Sequence, residues 1–204
     1  MILDAERKIA IFLTPKTGST SLHTLLSQAN PTVCKHKHTT IKEFQQQYNT
    51  LDIQGYSFYG FYRDPVDRFI SALNQIKARS IKQYFLRLGV AESAITQESI
   101  SEELLEKLGQ FTIERHVGQS GYGGNVLFQP QINWLDLPEI NLLNFASYEQ
   151  EATKLATLFG IDPIVIPTEN QTTLVETIPS VEQRDLIVAA YSADYEFLAS
   201  KGIL

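Results

Sequence analysis

The sequence predicts an α/β fold, a three-layer arrangement with a central parallel sheet flanked by helices. Three observations point there. Ile9-Ala10-Ile11-Phe12-Leu13 is an unbroken apolar run of strand length, as expected of a strand buried on both faces. Leu22, Leu25 and Leu26 follow it at helical spacing. The same strand-then-helix order recurs twice before residue 80, and such alternation builds parallel sheets joined by crossover helices.

The elements follow in order. Thr32–His36 is the second strand, and Ile41–Tyr48 the helix after it. The third strand, Tyr56–Tyr62, is dense in aromatics. Asp64 then supplies an N-cap and Pro65 a first-turn proline, and Val66, Phe69, Ile70, Leu73 and Ile76 form one apolar helical stripe. From Ser80 to Gly118 the pattern stays helical, clearest at Leu104, Leu105 and Leu108. Gly118–Asn125 carries four glycines (Gly118, Gly121, Gly123, Gly124) and reads as a loop. Asn141–Phe145 is a further strand and Glu149–Phe159 a further helix. Ser180 and Gln183 form a capping box that opens the last helix, whose apolar face is Leu186, Ile187, Tyr191 and Leu198. With no repeat and no linker, residues 1–204 read as a single domain.

Composition bounds the function. The chain is 43% apolar and 20% charged, enough to bury a core. Seventeen Lys and Arg against 23 Asp and Glu leave a net charge of −6, where duplex-binding modules carry a basic balance; no nucleic-acid partner is expected. No apolar run approaches the roughly 18 residues of a membrane span, and the short run at Ile9–Leu13 does not make a secretory leader. The single cysteine, Cys34, excludes an internal disulfide and fits a reducing, cytoplasmic compartment.

Between the first strand and its helix lies Pro15-Lys16-Thr17-Gly18-Ser19-Thr20-Ser21. A turn of small residues opening a helix exposes backbone N–H groups at the positive end of the helix dipole, which makes an anion site. Thr17, Ser19, Thr20 and Ser21 add hydroxyls and Lys16 adds charge. The bland alternative is an ordinary Ser/Thr-capped helix; position, lysine and hydroxyl density favour the anion site. The order is not that of a Walker A loop, because the lysine precedes the only glycine, and no apolar strand ends in an Asp that could hold magnesium. An Mg-nucleotide enzyme is disfavoured.

Arg63 closes the third strand, at the carboxyl edge where open parallel sheets bind ligands. Ser71 follows eight residues later, on the helix sector of Asp67 and Asn74, away from the apolar stripe. The guanidinium fork suits a phosphate. The alternative is Arg63 paired with Asp67 and Ser71 merely solvated.

Together the two motifs resemble a known family. Pro15–Leu22 is similar to the 5′-phosphosulfate loop of sulfotransferases that use 3′-phosphoadenosine 5′-phosphosulfate (PAPS), and Arg63–Ser71 resembles their 3′-phosphate motif, including the spacing. Gln129-Pro130-Gln131 and Ala190–Phe197 resemble the carbohydrate branch, which includes the heparan sulfate 2-O and 6-O enzymes. The resemblance implies a fold similar to P-loop kinases, with a phosphosulfate loop at 14–22, a 3′-phosphate motif at 62–72 and a variable acceptor region over about 80–127. It implies PAPS as donor and adenosine 3′,5′-bisphosphate as product, a hydroxyl acceptor, most plausibly a carbohydrate, and no metal. Lys16, Thr17, Gly18, Ser19, Thr20 and Ser21 would hold the phosphosulfate, with Lys16 also stabilising the leaving phosphate, while Arg63 and Ser71 would hold the 3′-phosphate. Ala72-Leu73 departs from the aromatic that relatives often place after the serine.

An attacking hydroxyl needs a base with a pKa near neutrality. Cys34-Lys35-His36-Lys37-His38 offers two histidines two apart, on one strand face if the second strand continues, and resembles the His-x-His of the 2-O enzymes. The expectation is His38 as catalytic base and His36 as its support or an acceptor contact, with Lys35 and Lys37 facing the other way or attracting an anionic acceptor. The competing readings are two surface histidines, or a zinc site completed by His23, His116 or Cys34 at no recognised spacing. His23 is expected at the surface. His116, Tyr122 and Trp134 are weaker candidates for acceptor contacts, and Lys77, Arg79, Lys82 and Arg87 form a basic helical run. Two other functions stay open on sequence alone: a catalytically silent module binding adenosine bisphosphate or sulfated glycan, and an atypical nucleotide kinase.

Overall fold

The structure is a computed structural model and describes residues 1–29, 32–33, 37–117, 119, 124–162 and 174–204. It divides into two compact units. Met1–Asp64, Pro130–Asn170 and Glu196–Leu204 form the first; Pro65–Gln129 and Gln171–Tyr195 form the second. The strands are β1 (Ile2–Asp4), β2 (Ile9–Phe12), β3 (Thr32–Val33), β4 (Ser57–Tyr62) and β5 (Ile140–Asn144). The helices, in chain order, are α1 (Ser19–Leu26), α2 (Ile41–Gln47), α3 (Pro65–Arg87), α4 (Glu102–Leu108), α5 (Ile113–Val117), α6 (Ile132–Leu135), α7 (Tyr148–Leu158), α8 (Val181–Ala190) and α9 (Ser192–Ser200).

In the first unit the described strands form one sheet in the order β3-β1-β2-β4-β5. β2 runs parallel to β4, pairing Ile11 with Tyr59, and β4 parallel to β5, pairing Gly60 with Leu142. Successive side chains leave opposite faces of a strand, and both faces here are apolar. Ile9, Ile11 and Leu13 pack with Leu22, Leu25 and Leu26 of α1 and Ala152, Leu155 and Ala156 of α7. Ala10 and Phe12 pack the other way, with Ile41 and Phe44 of α2 and Trp134 and Leu135 of α6. That is the three-layer α/β arrangement the sequence predicts. Gly60 permits one of the close approaches: a Cβ there would lie 2.5 Å from Leu135 Cδ2.

The sheet differs from expectation at its first strand. β1 pairs antiparallel with both β2 and β3, so the sheet is mixed rather than wholly parallel. Three apolar residues are too few to announce a strand by periodicity. Pairing on both edges makes one, and the β1–β2 turn is fastened by Asp4, which accepts from Arg7 N at 2.9 Å and Arg7 Nη1 at 2.7 Å.

The second unit is helical. Val66, Phe69 and Leu73 of α3 are buried against Ile113, Phe128, Ile187 and Tyr191, as the stripe predicts. The helical stretch expected over 80–118 is broken. Gly89, at φ 79°, ends α3 in the left-handed conformation that suits glycine; Ser101 restarts the chain by accepting from Leu104 N. The last helix is likewise two, α8 and α9, and Leu186 is 39% exposed rather than part of an apolar face. The break falls at Tyr191 (φ −111°, ψ 25°), whose ring is wholly buried and whose hydroxyl donates to Phe128 O. The capping box of Ser180 and Gln183 forms as expected.

Candidate active site

Between β2 and α1 the chain turns through two left-handed residues, Lys16 (φ 69°) and Gly18 (φ 73°). A lysine in that region is strained by roughly 1–3 kcal/mol. Gly18 could not be anything larger, since a Cβ would sit 2.4 Å from Tyr148 Cε2. Side chains hold the loop's carbonyls. Leu13 O accepts from His38 Nδ1 at 2.6 Å, Thr14 O from Thr17 Oγ1 at 2.9 Å, Lys16 O from Arg63 Nη1 at 3.3 Å and Gly18 O from the Tyr148 hydroxyl at 3.0 Å. Gly18 also caps α1 without a side-chain hydrogen bond, and no acidic residue sits in that first turn. The opening amides of α1 stand at the positive end of the helix, where a negative charge is favoured. Thr14 Oγ1 is buried with no hydrogen-bond partner among the described residues. A cradle of amides and hydroxyls with carbonyls turned away is chemically suited to an anion.

The cations around the loop come from different elements. Lys16 is half-buried in the loop itself. Arg63 follows β4 and is clamped through its backbone: its N donates to Gln131 Oε1 at 3.2 Å, and its O accepts from Gln131 Nε2 at 2.9 Å. Gln131 is wholly buried. The Arg63 guanidinium lies 4.8 Å from the centre of the Phe145 ring. The loop, Arg63 and the Phe145–Tyr148 segment therefore succeed the parallel strands β2, β4 and β5, at the carboxyl edge where such sheets bind ligands. A third cation, Lys37, donates to Thr20 Oγ1 at 2.5 Å.

Sequence reasoning missed Lys37's reach to the loop and missed Phe145 and Tyr148 altogether. Their signal was position, directly after a strand parallel to β2 and β4. The described part of β3 is Thr32–Val33, and Lys37 and His38 lie in a turn, so strand alternation does not orient His38. His36, Lys35 and Cys34 lie outside the described residues. His38 reaches the loop all the same. Because a carbonyl only accepts, its bond to Leu13 O places the proton on Nδ1 and leaves the lone pair on Nε2. Burial pushes the His38 pKa below the usual imidazole value; the Leu13 bond works against this, and Lys37 and the amino terminus add to the lowering. His38 O in turn accepts from Trp134 Nε1 at 3.0 Å.

The weaker candidates resolve into structure. Trp134 is wholly buried in the core, so it is not a platform for a sugar. His116 is 5% exposed, bonds Thr112 O at 2.8 Å and packs on Phe111 and Phe128. His23 is half-buried rather than at the surface, with Nδ1 3.4 Å from Ser27 Oγ. Tyr122 and the loop glycines 118, 121 and 123 lie outside the described residues. In the second unit, Ser71 is half-buried on α3 beside buried Ala72 and Leu73. Of the basic run, Arg79 and Arg87 are exposed and Lys82 pairs with Glu92 at 2.6 Å. Among the described residues no group of three or more His, Cys, Asp or Glu could hold a metal, and no helix is long and apolar enough to cross a membrane.

A family model described as the sulfotransferase family matches residues 1–115, more than half of the 204 residues. The matched segment contains the loop, Lys37, His38, Arg63 and Ser71. Among curated proteins and among solved structures, none matches.

Proposed function

Because the chain belongs to the sulfotransferase family, we propose that it moves a sulfuryl group from PAPS to a hydroxyl of a carbohydrate. The reading is supported above all by the loop, whose carbonyls are tied to His38, Arg63, Thr17 and Tyr148, and whose amides open α1 at the positive end of the helix beside Lys16. Thr17, Gly18, Ser19, Thr20 and Ser21 cradle the 5′-phosphosulfate. The acceptor oxygen attacks sulfur as its proton passes to Nε2 of His38. The bond from sulfur to the bridging oxygen breaks, and the electron pair leaves on the 5′-phosphate of adenosine 3′,5′-bisphosphate. Lys16 meets that charge, and donors already in place cost no reorganisation as it develops. Arg63 receives the 3′-phosphate; the same role for Ser71, and a supporting role for His36, rest on the sequence motifs. Residues 1–204 act as one sulfotransferase domain, in the reducing cytoplasm that the single cysteine suits.

The test is thermal stabilisation by ligand. Adenosine 3′,5′-bisphosphate should raise Tm well above the effect of AMP, because each charge-assisted bond to the 3′-phosphate contributes roughly 1.5–3 kcal/mol. Equal shifts with the two nucleotides, or a shift with magnesium-ATP alone, would sink the reading. Binding of the bisphosphate without sulfate transfer to any glycan would leave the silent-module alternative.

A further inference from the structure

The second unit contains a cleft that no motif anticipates. About 260 Å³ in volume, it is lined by apolar Leu73, Leu108, Phe111, Ile113 and Val175, and by Lys77 and Thr177. Ligand sites are typically concave, mostly apolar, and furnished with a few placed polar groups. Lys77 Nζ donates to Thr177 Oγ1 at 2.9 Å. Among the described residues no carboxylate pairs with it within 4.0 Å. An ammonium has three donors, and one drawn partly out of water is costly unless matched by an acceptor of opposite charge. Burial alone accordingly pushes the Lys77 pKa down. Glu114 also lines the cleft, but its carboxylate is engaged by Gln183 Nε2 at 2.8 Å.

From this juxtaposition of an apolar wall with an ammonium bonded, among the described residues, to a hydroxyl alone, we infer that the cleft binds a small amphipathic monoanion, a short apolar body carrying one carboxylate or sulfate ester. The anionic oxygens replace water at Lys77 and the body lies along Leu73, Leu108 and Val175. The volume falls just under the roughly 300–1,000 Å³ of sites for drug-sized ligands, so the body is short. Glu114 restricts the ligand to a single negative group, because a second would meet a carboxylate already holding its own partner. Binding at this cleft does not depend on the proposed sulfuryl transfer.

The experiment titrates the full chain, by calorimetry, with four probes of one length: octanoate, octyl sulfate, octan-1-ol and octylammonium. Octanoate or octyl sulfate should bind saturably, octan-1-ol more weakly and octylammonium not at all; whichever anion binds better names the head group. Excess adenosine 3′,5′-bisphosphate should leave that binding unchanged. Lys77→Met should lower affinity for the anion roughly tenfold to a hundredfold, the scale of one charge-assisted bond, and leave octan-1-ol unaffected. Lys77→Arg should restore most of the loss, and Glu114→Gln should tighten the anion. Val175→Trp fills the cleft without touching Lys77 and should abolish all binding. Preference for octylammonium, displacement by the bisphosphate, or anion affinity indifferent to both Lys77→Met and Val175→Trp would each overturn the proposal.

Discussion

At the scale of single residues, variants at Lys16 and His38 would separate the proposed charge stabilisation from the proposed proton transfer. Lys16→Ala removes the cation proposed to meet the leaving phosphate, so turnover should fall by roughly two to three decades while bisphosphate affinity falls less. A sulfate-transfer assay and a binding titration read the two effects independently. His38→Ala should cost roughly 10²–10⁴-fold in turnover with nucleotide binding intact. The pH–rate profile carries a sharper signature. In the proposed mechanism neutral imidazole is the base, and burial together with Lys37 lowers the His38 pKa. The rate should therefore rise through an inflection below 6.5 and stay flat above it. Lys37→Met removes a positive neighbour and should move that inflection upward. An inflection unmoved by Lys37→Met, and retained in His38→Ala, would take His38 out of the mechanism.

At the scale of elements, two junctions hold the site and the second unit in shape. In the first unit, α7 opens with Tyr148, whose ring lies between Phe61 at 5.2 Å and Phe145 at 5.6 Å and whose hydroxyl reaches Gly18 O. Gly18→Ala would force a side chain both into the left-handed region and into that ring. A loss of roughly 2 kcal/mol or more is expected from backbone strain and overpacking combined, and urea denaturation measures it. Tyr148→Phe keeps the ring and removes the bond; it should weaken bisphosphate binding with little change in Tm. In the second unit, Arg68 is wholly buried, donating to Leu127 O at 3.3 Å and Gln129 O at 2.6 Å, with Asp194 at 3.9 Å and the Tyr191 ring below it at 5.5 Å. Asp194→Ala leaves that charge buried without its counter-ion and should cost roughly 3–5 kcal/mol. Here lies a physical use for the Ala190–Phe197 segment.

At the scale of the whole molecule, the lowered histidines make folding sensitive to mild acid. His23 is lowered by burial first, then by Lys37 and the amino terminus, and His38 by burial first. The unfolded chain takes up a proton near pH 6.5 where the folded chain does not. Stability should therefore be constant above that pH and fall as pH drops below it, until the folded-state values are reached. Urea midpoints at pH 7.5 and 5.5 should differ in that direction, and His38→Gln should shrink the difference. A midpoint independent of pH across this window would show that the burial of these rings has no net effect.

What the sequence determined by itself is what short-range physics controls. The alternating apolar runs specify strands and helices of an α/β fold; Lys16 and Gly18 mark the loop, and the capping box at Ser180 marks a helix start, because each depends on residues a few positions apart. The tertiary structure decided the rest. Ile2–Asp4 becomes a strand only because β2 and β3 flank it. Tyr191 interrupts a continuous helical pattern because its ring and hydroxyl are claimed by the core of the second unit. His38 faces the loop through a bond to Leu13, not through strand alternation. Phe145 and Tyr148 meet Arg63 and Gly18 across more than eighty residues of chain. No local pattern encodes such meetings, since they follow from which strand ends lie side by side once the sheet has formed.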